Sequence, residues 1–104
     1  MIRAVWNFTI IAETDDAIEA DGHMYFPPES IEKKVFTKSE TTSTDPWLGK
    51  AEYYNVTVLG QTNRDAAWYY PEPPESAKAI KNHVTFAKNV YREGGEPKSK
   101  LERP

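Results

Sequence analysis

The chain contains no cysteine among its 104 residues. Disulfides, cysteine-based zinc sites and thiol nucleophiles are therefore outside its chemistry. Histidine is almost as scarce, with two residues, so no transition-metal centre is expected. Glycine is sparse as well, and none of it forms a phosphate-cradling loop or a P-loop. No apolar run approaches the ~20 residues that span a bilayer. Positive charge is short: 13 Lys and Arg stand against 16 Asp and Glu, for a net charge of −3. The stretch from Glu13 to Asp21 holds five acids and no base. That balance lacks the basic footprint of a nucleic-acid or anionic-membrane partner, so neither is expected. The acidic run itself reads as a solvated turn region rather than a cation site. The first residues show no charged, apolar and small-residue zones of a secretion signal, and a cytoplasmic protein is expected. On the same ground the two Asn-x-Thr triplets, at Asn7 and Asn55, read as chance matches.

What the chain does hold is large rings: three Trp, six Tyr and four Phe. Two of the tryptophans and four of the tyrosines fall in two short segments, Thr44 to Tyr54 and Asp65 to Pro71. A domain of this length buries roughly 60–70% of its unfolded surface, enough for one core. The rings therefore either fill that core or wall a pocket, and one ring can do both.

Local patterns give a mainly β fold. Ile2 to Trp6 and Thr9 to Ala12 form a hairpin about Asn7-Phe8. Ala17 to Ala20 and His23 to Phe26 form another about Asp21-Gly22, whose residues accept positive φ. Pro27-Pro28 ends that strand, and Glu29 to Lys34 reads as a turn of helix. Val35-Phe36 opens a further strand. Lys38 to Asp45 is polar throughout and reads as a loop. Ala51 to Leu59 alternates clearly, with Tyr54, Val56 and Val58 on one face and Tyr53, Asn55 and Thr57 on the other. In Ala66 to Tyr70 the residues Ala66, Trp68 and Tyr70 share a face, opposite Ala67 and Tyr69. Glu75 to Asn82 is the best helix, with a narrow stripe of Ala77, Ile80 and Ala79. Val84 to Tyr91 is the last strand. The expected fold is a small curled antiparallel sheet or barrel of about seven short strands, with one covering helix near the C-terminus. Residues 1–92 form a single domain and 93–104 a flexible tail, with nothing from Gly94 onward taking part in the fold.

These residues resemble the bacterial and fungal family called domain of unknown function 427, also labelled a nucleotidyltransferase domain. The likeness runs through Ala4-Val5-Trp6-Asn7, then His23 to Pro27 with Glu29. It continues at Pro46, Trp47, Gly49, Ala51, Tyr53 and Tyr54, with Ser43 where the family has Thr. The last blocks are Asp65 to Trp68 with Tyr70 and Pro73, then Ile80, Val84 and Phe86. The resemblance implies a small, mostly β domain and little chemistry. Two positions depart from the pattern: Asp45 stands at the family's usual Cys and Leu48 at its usual Lys. The nucleotidyltransferase label does not fit, because such transfer needs paired metal-binding carboxylates and a glycine-rich cradle.

A ligand site built from the aromatic segments would draw on Asp45, Trp47, Lys50, Tyr53, Tyr54, Asp65, Trp68 and Tyr70. Cation–π capture of a basic ligand is one physical option, favoured by the acidic body. Asp65 is either a turn cap or a buried carboxylate. His23 reads as a packed or exposed strand residue, and His83 as a stabiliser of the helix end. The first functional expectation is thus a small-molecule-binding module with an aromatic pocket and no cofactor. The alternatives are an enzyme using Asp45 or Asp65 as general base, and an interaction protein that dimerises through a strand edge.

Overall fold

A computed structural model describes residues 1–104 and contains ten strands in three sheets. The first sheet holds β1 (Ile2–Trp6), β2 (Thr9–Thr14) and β9 (Tyr91–Gly94) in the order β2-β1-β9. The second holds β3 (Ile18–Ala20), β4 (His23–Tyr25) and β10 (Ser99–Leu101) in the order β10-β3-β4. The third and largest runs β5-β6-β7-β8, with β5 Phe36–Asp45, β6 Gly49–Val58, β7 Gln61–Tyr69 and β8 Val84–Phe86. The sheets stay open and no barrel closes. A single bridge joins the second to the third, where Phe26 pairs with Val84 through reciprocal 2.8 Å backbone hydrogen bonds, and another, Ala12 with Ile31, ties the first to the segment between β4 and β5.

Both predicted hairpins form, the second for the predicted reason. Trp6 lies opposite Thr9, so Asn7 and Phe8 are a two-residue loop with φ of 52° and 63°. Ala20 lies opposite His23, with Asp21 and Gly22 at φ 52° and 82°. Two consecutive left-handed residues make the loop whose twist matches that of the flanking strands. Glycine suits the second of these positions, yet the first hairpin places Phe8 there, 98% exposed. Phe8→Gly is expected to raise stability by about 0.5–1 kcal/mol, because relief of left-handed strain exceeds the added backbone entropy. A denaturant midpoint that fell would show that Phe8 makes contacts its exposure does not reveal.

Two apolar clusters form on opposite faces of the large sheet. One gathers Ile2, Ile11, Phe26, Phe36, Val56, Val58, Tyr69 and Val84 among others. The other gathers Tyr25, Leu48, Ala51, Tyr70, Ala77 and Ile80. The alternation in β6 holds: Val56 and Val58 enter the first cluster and Tyr54 packs against it, while Tyr53 packs on the second. In β7 the alternation places Tyr69 and Trp68 on opposite faces, as expected. Ala66 departs from it, joining Ala67 in the first cluster. The cause is a bulge in which the register jumps from Tyr54↔Ala67 to Val56↔Asn63. Asp65 sits in it at φ 53°, its N–H donating 2.9 Å to Asn55 Oδ1.

Several expectations need correction. Lys38 to Asp45 is not a loop but most of β5, the wet edge strand of the large sheet. Its threonines suit extended backbone even where both faces are wet, and charge with a bulge between Lys38 and Thr42 keeps the edge from pairing further. The covering helix over Glu75 to Asn82 is a kinked 3₁₀ segment, Glu75–Ile80, broken at Ala77 (φ −125°). A segment so short, opened by prolines and lacking a side-chain cap, cannot nucleate an α-helix, though Ala77 and Ile80 do bury as predicted while Ala79 does not. Glu29 to Lys34 likewise gives only two 3₁₀ turns, Pro28–Ser30 and Lys33–Val35. The strand expected from Val84 to Tyr91 is cut at Phe86 by a turn in which the Val90 N–H donates to Ala87 O at 3.0 Å. Asn89 and the buried Asn63 hold that turn to β7 through paired 3.1 Å amide hydrogen bonds. Finally, residues from Gly94 onward do take part in the fold: β10 runs parallel to β3, and the Lys98 N–H donates to Ala17 O at 2.8 Å.

Candidate functional site

The eight residues singled out from sequence fall in four places. Trp47, Tyr53, Trp68 and Tyr70 gather on the second-cluster face of the large sheet. Tyr53 and Trp68 are directly opposite each other on β6 and β7, their rings 5.6 Å apart. His23 also meets Trp68, edge-on at 5.5 Å, so it is a packing residue. Trp47 stands at the rim of this group, its indole N–H donating 3.1 Å to Ser76 Oγ. Asp45 adjoins it in the turn between β5 and β6. Its Oδ1 accepts the N–H groups of Trp47 at 2.8 Å and Leu48 at 2.9 Å. The Asp45 carboxylate thus closes the turn, and Leu48 is a core residue, 1% exposed. Gly49 follows at φ 88°, a backbone that other residues rarely adopt.

Tyr54 lies on the opposite face. Asp65 joins neither group, its carboxylate accepting Ser39 Oγ at 2.6 Å and Thr41 Oγ1 at 2.8 Å, which fastens β7 to β5. Lys50 is exposed on β6, opposite Thr44.

The first-cluster face carries a groove of about 480 Å³. Its walls are Phe36, Tyr54 and Tyr69, with Ile31, Val84 and Pro28 closing it from the segment after β4 and from β8; Lys33 and Asn82 stand at the rim. The rings form one chain of contacts. Phe26 meets Phe86 edge-on at 5.4 Å, Phe86 lies 6.1 Å from Phe36, Phe36 meets Tyr54 at 5.5 Å, and Tyr54 lies 5.2 Å from Tyr69. Only Tyr54 of this wall was singled out by sequence. Tyr69 was legible as the residue opposite in face to Trp68, and Phe36 as the apolar start of a strand. Ile31 and Pro28 carried no signal.

A polar network borders the tyrosines. Lys38 Nζ donates to Tyr69 Oη and, at 3.0 Å, to Glu52 Oε1, while Tyr69 Oη donates 3.2 Å to the same carboxylate oxygen. The ammonium lies 4.9 Å from the Tyr69 ring centre and 5.9 Å from that of Tyr54. These hydrogen bonds to Tyr69 and Glu52 push Lys38 above its ordinary value, and those from Lys38 pull Glu52 below its own. Burial raises Tyr54, with Tyr69 adding to it. At neutral pH the groove therefore borders a cation–carboxylate pair and, at Tyr54, a neutral phenol.

Two other depressions are poorer. One of about 240 Å³ lies beside Ala4, His23 and Tyr91, below the size of most ligand sites. The other, at Pro71 to Lys81, is walled by prolines and charged residues, with no large apolar side chain. No group of three or more His, Cys, Asp or Glu residues gathers in a way that could hold a metal. No helix is long and apolar enough to cross a membrane.

Comparison with known proteins adds the family and nothing about activity. No curated protein matches the chain. The family model for a domain of unknown function, DUF427, matches residues 1–94, from β1 to the end of β9. That span takes in both apolar clusters except Leu101, and the chain belongs to the DUF427 family.

Proposed function

We propose that the domain is a small-molecule-binding module whose site is the groove walled by Phe36, Tyr54 and Tyr69. The observation that carries this reading is an open cavity of about 480 Å³ with three aromatic walls and a hydrogen-bonded Lys38–Glu52–Tyr69 network at its border. Its volume lies in the usual range for sites that take one organic molecule. Flat apolar walls favour a planar ligand, and the Lys33 ammonium at the rim favours one that carries an acceptor such as a carboxylate. The enzyme reading has less support. Asp45 and Asp65 both hold local backbone or hydroxyl hydrogen bonds, and neither lines the groove.

A thermal-shift screen of aromatic carboxylates against matched uncharged analogues tests the proposal. A ligand present at 100 times its Kd stabilises by about 2.7 kcal/mol, which moves the midpoint of a domain this size by roughly 10 °C or more. The shift is expected for wild type and to vanish in Tyr54→Ala, which removes one aromatic wall of the groove, each protein being read against its own ligand-free midpoint. Equal shifts in wild type and variant, or none with any compound, would defeat this reading.

A further inference from the structure

The other face of the large sheet is occupied by the chain itself. Strand β10 lies parallel to β3, in the register Ser99↔Ile18, Lys100↔Glu19, Leu101↔Ala20. Without it, β3 would be a bare edge, a template for adding a strand from elsewhere. Leu101 packs on the cluster of Tyr25, Leu48 and Tyr70, alongside Trp47 and Trp68. Arg103, two residues further and just past the end of β10, places its guanidinium 5.4 Å from the centre of the Trp47 ring. The same group donates to Asp21 Oδ2 at 2.8 Å and lies 3.8 Å from Asp45 Oδ1.

Asp21 and Asp45 come from two different turns, the β3–β4 hairpin and the β5–β6 turn. Their convergence is visible from beneath as well: both charges act on the hydroxyls of Tyr25 and Tyr70, adding to burial in raising these phenols. Two carboxylates this close to each other and to an indole face form a guanidinium receptor, with an ion pair on one side and a cation–π contact on the other. Residues 95–104, which supply the guanidinium, lie beyond the stretch that the family match spans.

We propose that Trp47, Asp21 and Asp45, with the edge of β3 that β10 covers, form a docking site for an extended peptide bearing an arginine two residues after an apolar side chain, and that the C-terminal segment is its resident occupant. The peptide adds to β3 as a strand, its apolar residue takes the place of Leu101, and its guanidinium takes the place of Arg103. A tethered occupant acts at an effective concentration on the order of millimolar, so it masks the site from weak competitors and yields to strong ones. The groove on the opposite face is not involved, and this inference stands whether or not the groove binds a small molecule.

The test uses the full chain carrying Leu101→Ser and Arg103→Ala, which empties the site, and a synthetic peptide of residues 96–104 as the probe. Binding is read from the indole N–H resonance of Trp47 and from titration calorimetry. The opened variant is expected to bind the peptide at least about ten-fold more tightly than wild type, the margin that removal of a tethered competitor gives. A peptide with alanine for its arginine is expected to lose the gain. Adding Asp21→Asn is expected to do the same while keeping the hairpin, since asparagine accepts the positive φ found there. Should the double variant fold poorly, Arg103→Ala alone removes only an exposed side chain and carries the same comparison. Equal affinity in wild type and opened chain would overturn the proposal. So would no uptake by the opened chain, or equal binding of the alanine peptide.

Discussion

Truncation of Phe26 to alanine lowers stability by about 3–5 kcal/mol, a large share of the 5–15 kcal/mol typical of such a domain. Phe26 is 1% exposed and belongs to the first apolar cluster. It meets Phe86 edge-on at 5.4 Å, and its backbone forms the bridge to Val84 that joins the second sheet to the third. Its removal therefore leaves a void where two sheets are held by a single pair of hydrogen bonds. The damage passes to the groove through Phe86 and Phe36, so Phe26→Ala is also expected to weaken any groove ligand. Urea unfolding gives the cost directly. A loss below 1 kcal/mol would mean that the junction between sheets is held by something other than this ring.

The second large effect is alkaline instability. Burial raises Tyr25 above the usual tyrosine range, with Tyr70, Asp45 and Asp21 adding to it, and burial raises Tyr70 and Tyr54 in the same direction. A phenol that stays neutral in the folded chain but ionises near pH 10 when unfolded contributes its full stability below about pH 10. Above that pH the unfolded chain loses protons that the folded chain keeps, and stability falls. For Tyr25 the slope reaches about 1.4 kcal/mol per pH unit, until the folded protein also ionises. Lys38 acts in the same sense. Hydrogen bonds to Tyr69 and Glu52 raise it, so its contribution is present below about pH 10.4, the ordinary lysine value, and is lost as pH climbs. Glu52 acts on the acid side, being lowered, and its contribution fades as pH drops below about 4.3. Denaturant midpoints measured from pH 8 to 11.5 check the alkaline limb. Tyr25→Phe is expected to flatten it, and an unchanged slope in that variant would assign the loss to other groups.

Much of this architecture was legible in the sequence because short-range rules govern it. Asn7-Phe8 and Asp21-Gly22 closed hairpins where left-handed residues were needed, and the alternation in β6 and β7 sorted rings onto two faces. What escaped depended on distant partners. The threonine-rich β5 is a strand because β6 offers it an edge, not because it has an apolar face. The strand after Val84 ends early because Asn89 finds Asn63 across the sheet, a pairing that alternation cannot foresee. The bulge at Asp65, which sends Ala66 to the other core, follows from Asn55 accepting its N–H.

The site was legible only in part, for the same reason. Clustering of rings in Thr44 to Tyr54 and Asp65 to Pro71 located the aromatic sheet, but period-two geometry divides those rings between faces. Tyr54 went with Phe36 and Tyr69 to the groove, and Trp47, Tyr53, Trp68 and Tyr70 went to the face that β10 covers. The capture of a cation by an indole was open from the sequence. That the cation would be Arg103, from a segment expected to stand free, required the topology that brings residue 103 beside residues 21 and 47.

The central claim is that Phe36, Tyr54 and Tyr69 wall a ligand site. The most direct measurement is a set of intermolecular nuclear Overhauser effects between the tightest compound of the thermal-shift screen and the isotope-labelled chain. Cross-peaks to the ring protons of those three residues and to the Val84 methyls are the predicted result. Cross-peaks confined to Trp47, Trp68 and Tyr53, with the groove residues silent, would contradict it.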